Sequence, residues 1–158
     1  MCLFGFFSAG CASVSLYTKP EASWATIQKV GVFQFQTPFE DRIRRQWATQ
    51  LFVRELQRTR RFEVVELDLP PPSPGAPDFS ASAKKAGVDA YLQGTIEDLA
   101  EIFADLQMVD AATGETLWSI RYHRGGGPEF SFCFTTSQQQ LQRIFRLSIH
   151  NLIRTTRS

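Results

Sequence analysis

The spacing of apolar and polar residues changes period several times along this chain, and each change marks an element. Lys29-Val-Gly-Val-Phe-Gln-Phe35 reads as a strand that turns Val30, Val32, Phe33 and Phe35 to one or both faces of a sheet. A helix is predicted next. Thr37-Pro38-Phe39-Glu40 has an N-cap Thr, a Pro at the first helical position and a Glu three residues past the cap, where its carboxylate reaches back to a free backbone N–H. Ile43, Trp47 and Leu51 then recur every fourth residue beside Ala48, Phe52 and Leu56, which predicts a wide apolar stripe for packing on a sheet, ending near Arg60. Phe62-Glu-Val-Val-Glu-Leu67 reads as a second strand. The segment 68–77 holds five of the eight prolines and predicts an extended surface loop.

Asp78 is placed to cap a short helix over Phe79–Ala86, stopped by Gly87. Three strands follow, over Val88–Ile96, Ile102–Asp110 and Glu115–His123, the last two joined by the turn Ala111-Ala-Thr-Gly114. Trp118, Ile120 and Tyr122 alternate with Ser119, Arg121 and His123, so this strand has one buried and one wetter face. After Gly125-Gly-Gly-Pro128 and an aromatic stretch, Thr135-Thr-Ser137 leads into a final helix with Leu141, Ile144, Phe145, Ser148, Ile149 and Leu152 on one face. The predicted class is an α/β sandwich, a mixed sheet of about five strands with helices packed on it, forming a single domain over residues 28–158.

The N-terminus has a different character. Residues 1–16 carry no charge, and the first basic side chain is Lys19. Leu3, Phe4, Phe6 and Phe7 resemble the end of a secretory apolar segment, and Ser8-Ala9-Gly10-Cys11 resembles a bacterial lipobox, whose Cys becomes the lipidated first residue of the mature protein. Ser8 departs from the Leu preferred there, and the missing basic region suggests that the signal begins upstream of Met1. The other reading is an apolar N-terminal strand. The expectation is a signal remnant over 1–10, palmitate-type attachment at Cys11, and a tether over 11–27. Lipidation would leave Cys133 as the one free thiol, so no disulfide could form within the mature chain.

Composition narrows the functional classes. In 158 residues a net charge of +1 gives no global attraction to nucleic acid or anionic membranes, so any such partner needs a local patch. With 43% hydrophobic residues and fourteen Phe, the chain can bury an aromatic core. Three Cys and two His, with no acid or Cys at ligand spacing around His123 or His150, point to no metal site and no cofactor. Cys133 sits between Phe132 and Phe134, a setting that keeps a thiol protonated and inert. Gly125-Gly126-Gly127 lacks the Lys-Ser/Thr and the strand-to-helix frame of a phosphate loop. Asp89, Glu97 and Asp98 are the carboxylates that a catalytic pair would draw on, but their spacing does not show one. No catalytic residue is assigned.

Two stretches, Ala86-Gly-Val-Asp-Ala-Tyr-Leu-Gln-Gly-Thr-Ile96 and Leu106-Gln-Met-Val-Asp-Ala-Ala-Thr-Gly-Glu-Thr-Leu-Trp-Ser119, resemble the paired strand and Thr-Gly-Glu hairpin of bacterial envelope lipoproteins related to the curli-secretion lipoprotein CsgG and the penicillin-binding-protein activator LpoB. The resemblance implies an outer-membrane lipoprotein on the periplasmic face. It would act as an accessory or assembly component of a secretion, motility or wall-synthesis complex, through an envelope protein partner and without chemistry of its own. There is no room for the long hairpins of a transmembrane barrel, while open sheet edges leave a homo-oligomer available. One further feature suggests a binding face. Seven arginines fall within residues 42–61, and Arg42, Arg44, Arg45, Arg54 and Arg58 on the first helix are the candidates for docking an anionic partner, against the plainer reading of a solvated face. A soluble adaptor or nucleic-acid-binding domain using these arginines is the alternative function, disfavoured by the balanced charge.

Overall fold

A computed structural model describes residues 12–20, 22–37, 42–69, 78–98, 102–124 and 137–156. The elements run β1 (Ala12–Thr18), a 3-10 turn (Trp24–Thr26), β2 (Lys29–Phe33), α1 (Arg42–Arg58), β3 (Glu63–Leu67), α2 (Phe79–Lys85), β4 (Ala90–Asp98), β5 (Ile102–Asp110), β6 (Thr116–Arg124) and α3 (Ser137–Thr155). The six strands form one mixed sheet in the order β1-β6-β5-β4-β2-β3. Strand β2 runs parallel to β3 and β4, whereas the β4-β5-β6-β1 half is antiparallel.

This is the α/β architecture expected from the sequence, with one strand more. Residues 12–18, expected to belong to a tether, form edge strand β1, paired along its length with β6 from Ala12↔Arg124 to Thr18↔Trp118. The reason lies in composition that suits both roles: Val14, Leu16, Tyr17 and Thr18 are good strand formers between small serines, and a ladder partner makes the strand.

Alternation along the strands builds two cores on opposite sheet faces. Val30, Val32, Ala90, Leu92, Leu106, Met108, Trp118 and Ile120 meet α1 and α3 in the larger one. There Phe35, Phe52 and Phe145 interlock, with ring centroids 5.4, 5.8 and 5.1 Å apart, and tie the end of β2 to both helices. The smaller core, Phe33, Ala83, Val88, Tyr91, Val109 and Ala111, lies under α2. Every residue predicted on the inner face of α3 is buried, Ser148 included, whose hydroxyl donates to the Ile144 carbonyl at 2.8 Å.

Local signals mostly act as read. The Asp78 carboxylate accepts from the Ala81 N–H at 2.9 Å and caps α2, and Gly87 ends it at φ 65°. Helix α1 ends at Arg58, and Arg60 takes φ 54°, a left-handed position usually left to Gly or Asn. The predicted cap residue Thr37 is described and lies ahead of a helix assigned from Arg42, while Pro38 and Glu40 lie outside the described residues. The α1 stripe is rotated from the one expected: Ala48, Thr49, Phe52, Val53 and Leu56 are buried, Trp47 and Leu51 are partly so, and Ile43 is 82% exposed. Trp47 and Leu51 still pack against the larger core, whereas Ile43, one turn before them, is uncovered.

Candidate functional site

Three features of the described residues are candidates for function. The first comprises the carboxylates of the strand motifs, and their work is structural. Asp89 accepts the backbone N–H groups of Gln28 and Lys29 at 2.9 and 2.8 Å, and its own N–H and carbonyl bond Lys29 and Ala111. It fastens the start of β4 to β2 and to the hairpin. Asp110 accepts from the Ala112 and Thr113 N–H groups, both at 2.8 Å, and folds the turn closed while Gly114 takes φ 75°. Glu97 is exposed, and the Asp98 side chain lies outside the described residues. Among the described residues no three His, Cys, Asp or Glu side chains converge as metal ligands. His123 stacks edge-on against Phe103 at 6.4 Å, and His150 is exposed on α3. Cys133 and Gly125–Gly127 lie outside the described residues, as does Cys11.

The second group is the arginines. Arg42, Arg44, Arg45, Arg54 and Arg58 do not share a face, because at about 100° per residue they spread over roughly two thirds of the α1 circumference. Arg45 is half-buried with its Nε unpartnered, whereas Arg42, Arg44, Arg54 and Arg58 are exposed. Arg61 donates to the Trp24 carbonyl at 3.0 Å and lies over the Phe62 ring, so it serves the fold. Arg58 meets Glu55 of its own helix together with Gln142 and Arg146 of α3.

That constellation is the groove between α1 and α3. Glu55, 8% exposed, accepts from Arg58 at 2.8 Å, from Gln142 at 3.1 Å and, at a longer 3.4 Å, from Arg146. Burial pushes the Glu55 carboxyl up. The hydrogen bonds from Gln142 and Arg146 and the charges of Arg146 and Arg58 outweigh burial, so the group titrates below the ordinary carboxylate range. Beyond Glu55 the groove opens to about 500 Å³, floored by Ile149 and Ile153 and rimmed by Arg58, Arg146, Arg154 and His150. The sequence showed Glu55 as the lone acid among the helix arginines. Its partners on α3 were not foreseen, because nothing local to either helix encodes their pairing.

The third feature is the β1 edge. Val14, Leu16 and Tyr17 are 56, 45 and 48% exposed, and among the described residues no strand pairs with the outer side of β1. A second cleft, of about 230 Å³, opens on the α2 side of the sheet between Phe79 and a row of amides, Gln34, Gln36, Gln93 and Gln107. Asp105 at its margin is held by Arg121 at 2.9 and 2.6 Å. No helix among the described residues is long and apolar enough to cross a membrane.

No protein-family model matches the sequence, and no curated protein matches it. Solved structures do. A PelC dodecamer from Paraburkholderia phytofirmans superposes with a TM-score of 0.65 at 14% identity, over 88% of this chain and 96% of that one. A point variant of the same dodecamer gives 0.60 at 15% identity, over 92% and 98%. The LpoB C-terminal domain from Salmonella enterica is more distant, with a TM-score of 0.46 at 17% identity over 62% of this chain and 83% of that one. The chain therefore shares its fold with PelC, nearly end to end.

Proposed function

We propose that the protein is a non-enzymatic subunit of a bacterial envelope assembly, an outer-membrane lipoprotein held by Cys11 whose periplasmic domain works by binding copies of itself and other envelope proteins. The observation that carries this reading is β1. It is a full seven-residue edge strand with Val14, Leu16 and Tyr17 turned to solvent, the kind of edge that soluble monomers normally blunt with charge, Pro or a covering element. The nearly complete overlap with PelC, a dodecamer, supports self-association of this fold. The Ser8-Ala9-Gly10-Cys11 sequence supports the anchor and stands directly before β1, so a lipid on Cys11 would bring the sheet edge close to the membrane. The motif carboxylates Asp89 and Asp110 hold backbone rather than face a cleft, which supports a binding body over a catalyst.

The anchor is tested by intact-mass analysis of the chain expressed in a bacterium behind a complete lipoprotein signal. An N-terminal cysteine at position 11 carrying acyl chains, and its loss to the soluble fraction in Cys11→Ala, are the expected results. A full-length unmodified chain in that fraction refutes the address.

A further inference from the structure

The α1–α3 groove joins an apolar floor to a cationic rim. Its floor is apolar: Ile149 is 5% exposed, and Ile153 packs partly buried against the main core. Its rim is cationic, with three guanidinium groups, Arg58, Arg146 and Arg154, against the single carboxylate of Glu55. Arg58 is oriented by Glu55 at 2.8 Å and Arg146 approaches it at 3.4 Å, yet both remain 60% exposed, and a guanidinium has five N–H donors, of which each gives Glu55 one at most. No ion pair holds Arg154 among the described residues. Part of the positive charge compensates helix ends, since Arg58 lies in the last turn of α1 and Arg154 in the last turn of α3. Compensation of helix ends does not require a concave apolar floor with arginines from two helices gathered at its rim. Those features are what a ligand site has, and about 500 Å³ lies within the usual size of one.

We propose that this groove binds a small anionic amphiphile, with an oxyanion head held by Arg58, Arg146 and Arg154 and a hydrocarbon or aromatic body laid over Ile149 and Ile153. The head can be carboxylate or phosphate, because the guanidinium fork matches both. The apolar body distinguishes this ligand from a free inorganic anion. This site does not depend on the anchor or on self-association.

The test is a methyl-resolved NMR titration of the full chain, labelled at the isoleucine δ1 methyls, with decanoate, decyl phosphate, decanol and inorganic phosphate, each below its aggregation limit. Decanoate and decyl phosphate should shift the Ile149 and Ile153 methyls saturably, and more tightly than decanol or inorganic phosphate. Arg154→Gln, at an exposed position that leaves the fold intact, should weaken decanoate about tenfold, the loss of one charge-assisted contact. Arg143→Gln, exposed on α3 and absent from the groove lining, should leave binding unchanged. Absence of shifts with decanoate, equal affinity for decanol or for inorganic phosphate, or full affinity in Arg154→Gln would each overturn the proposal.

Discussion

Replacing Glu55 with Gln should destabilise the protein at neutral pH by an amount that disappears in acid. Glutamine has the size of glutamate and keeps one acceptor, but it removes the charge that Arg58 and Arg146 address. Of the three bonds to the carboxylate, those at 2.8 and 3.1 Å are of ordinary length and the one at 3.4 Å is marginal. The 2.8 and 3.1 Å bonds both end on Oε1, where the Gln carbonyl oxygen still accepts, so the loss is the charge-assisted part of contacts to two largely solvated arginines, about 0.5–1 kcal/mol. The folded chain holds this carboxyl ionised at lower pH than the unfolded chain does, so its stabilisation is complete above the unfolded value, about 4.3, and is lost as pH falls through the folded value. Urea unfolding of both proteins from neutral pH to about pH 3 therefore separates two behaviours. The gap between wild type and Glu55→Gln should be widest near neutrality and close in acid, where wild-type Glu55 is itself protonated. A gap that is constant with pH, or one that widens in acid, would refute the reading of Glu55 as the charged clasp between α1 and α3.

Three further positions give independent checks. A Cβ on Gly94 would lie 2.6 Å from both the Asp105 carbonyl oxygen on β5 and the Leu106 Cδ2, so Gly94→Ala should cost about 1–3 kcal/mol in thermal or urea unfolding. Asp89→Ala strands the Gln28 and Lys29 N–H groups and should cost about 1–2 kcal/mol, whereas Asp89→Asn, which keeps an acceptor, should recover most of that loss by the same assay. Burial pushes the Tyr91 phenol up, against the bond to Ser80, so its contribution is complete below the unfolded value and lost as pH rises towards the folded one. Tyr91→Phe should accordingly hold its stability further into alkali, which unfolding followed above about pH 10 will show.

Much of the fold was readable because local grammar and tertiary demand agree. The inner face of α3, the Asp78 cap, the Gly87 stop and the Gly114 turn are each set by a few neighbouring residues. The errors occur where a choice depends on distant partners. Residues 12–18 have a composition that serves a linker or a strand equally well, and the decision belongs to β6, more than a hundred positions away. Ile43 has the right spacing for the α1 stripe, but only the later turns of that row are covered. The site was less legible than the fold. Counting arginines along α1 pointed to a face, whereas the helix disperses them and α3 supplies Arg146, Arg154 and the apolar floor. Asp89 and Asp110 stood out as motif residues, and they act by satisfying backbone donors.

The most direct test of the central claim is the mass in solution of the domain from residue 12 onward, measured by light scattering at several concentrations beside the Leu16→Lys variant. The account predicts a discrete assembly of several protomers that Leu16→Lys dissociates without changing the circular dichroism spectrum, because Leu16 is 45% exposed and placed on the β1 edge. A monomer at every concentration, or an assembly indifferent to a lysine at position 16, would contradict it.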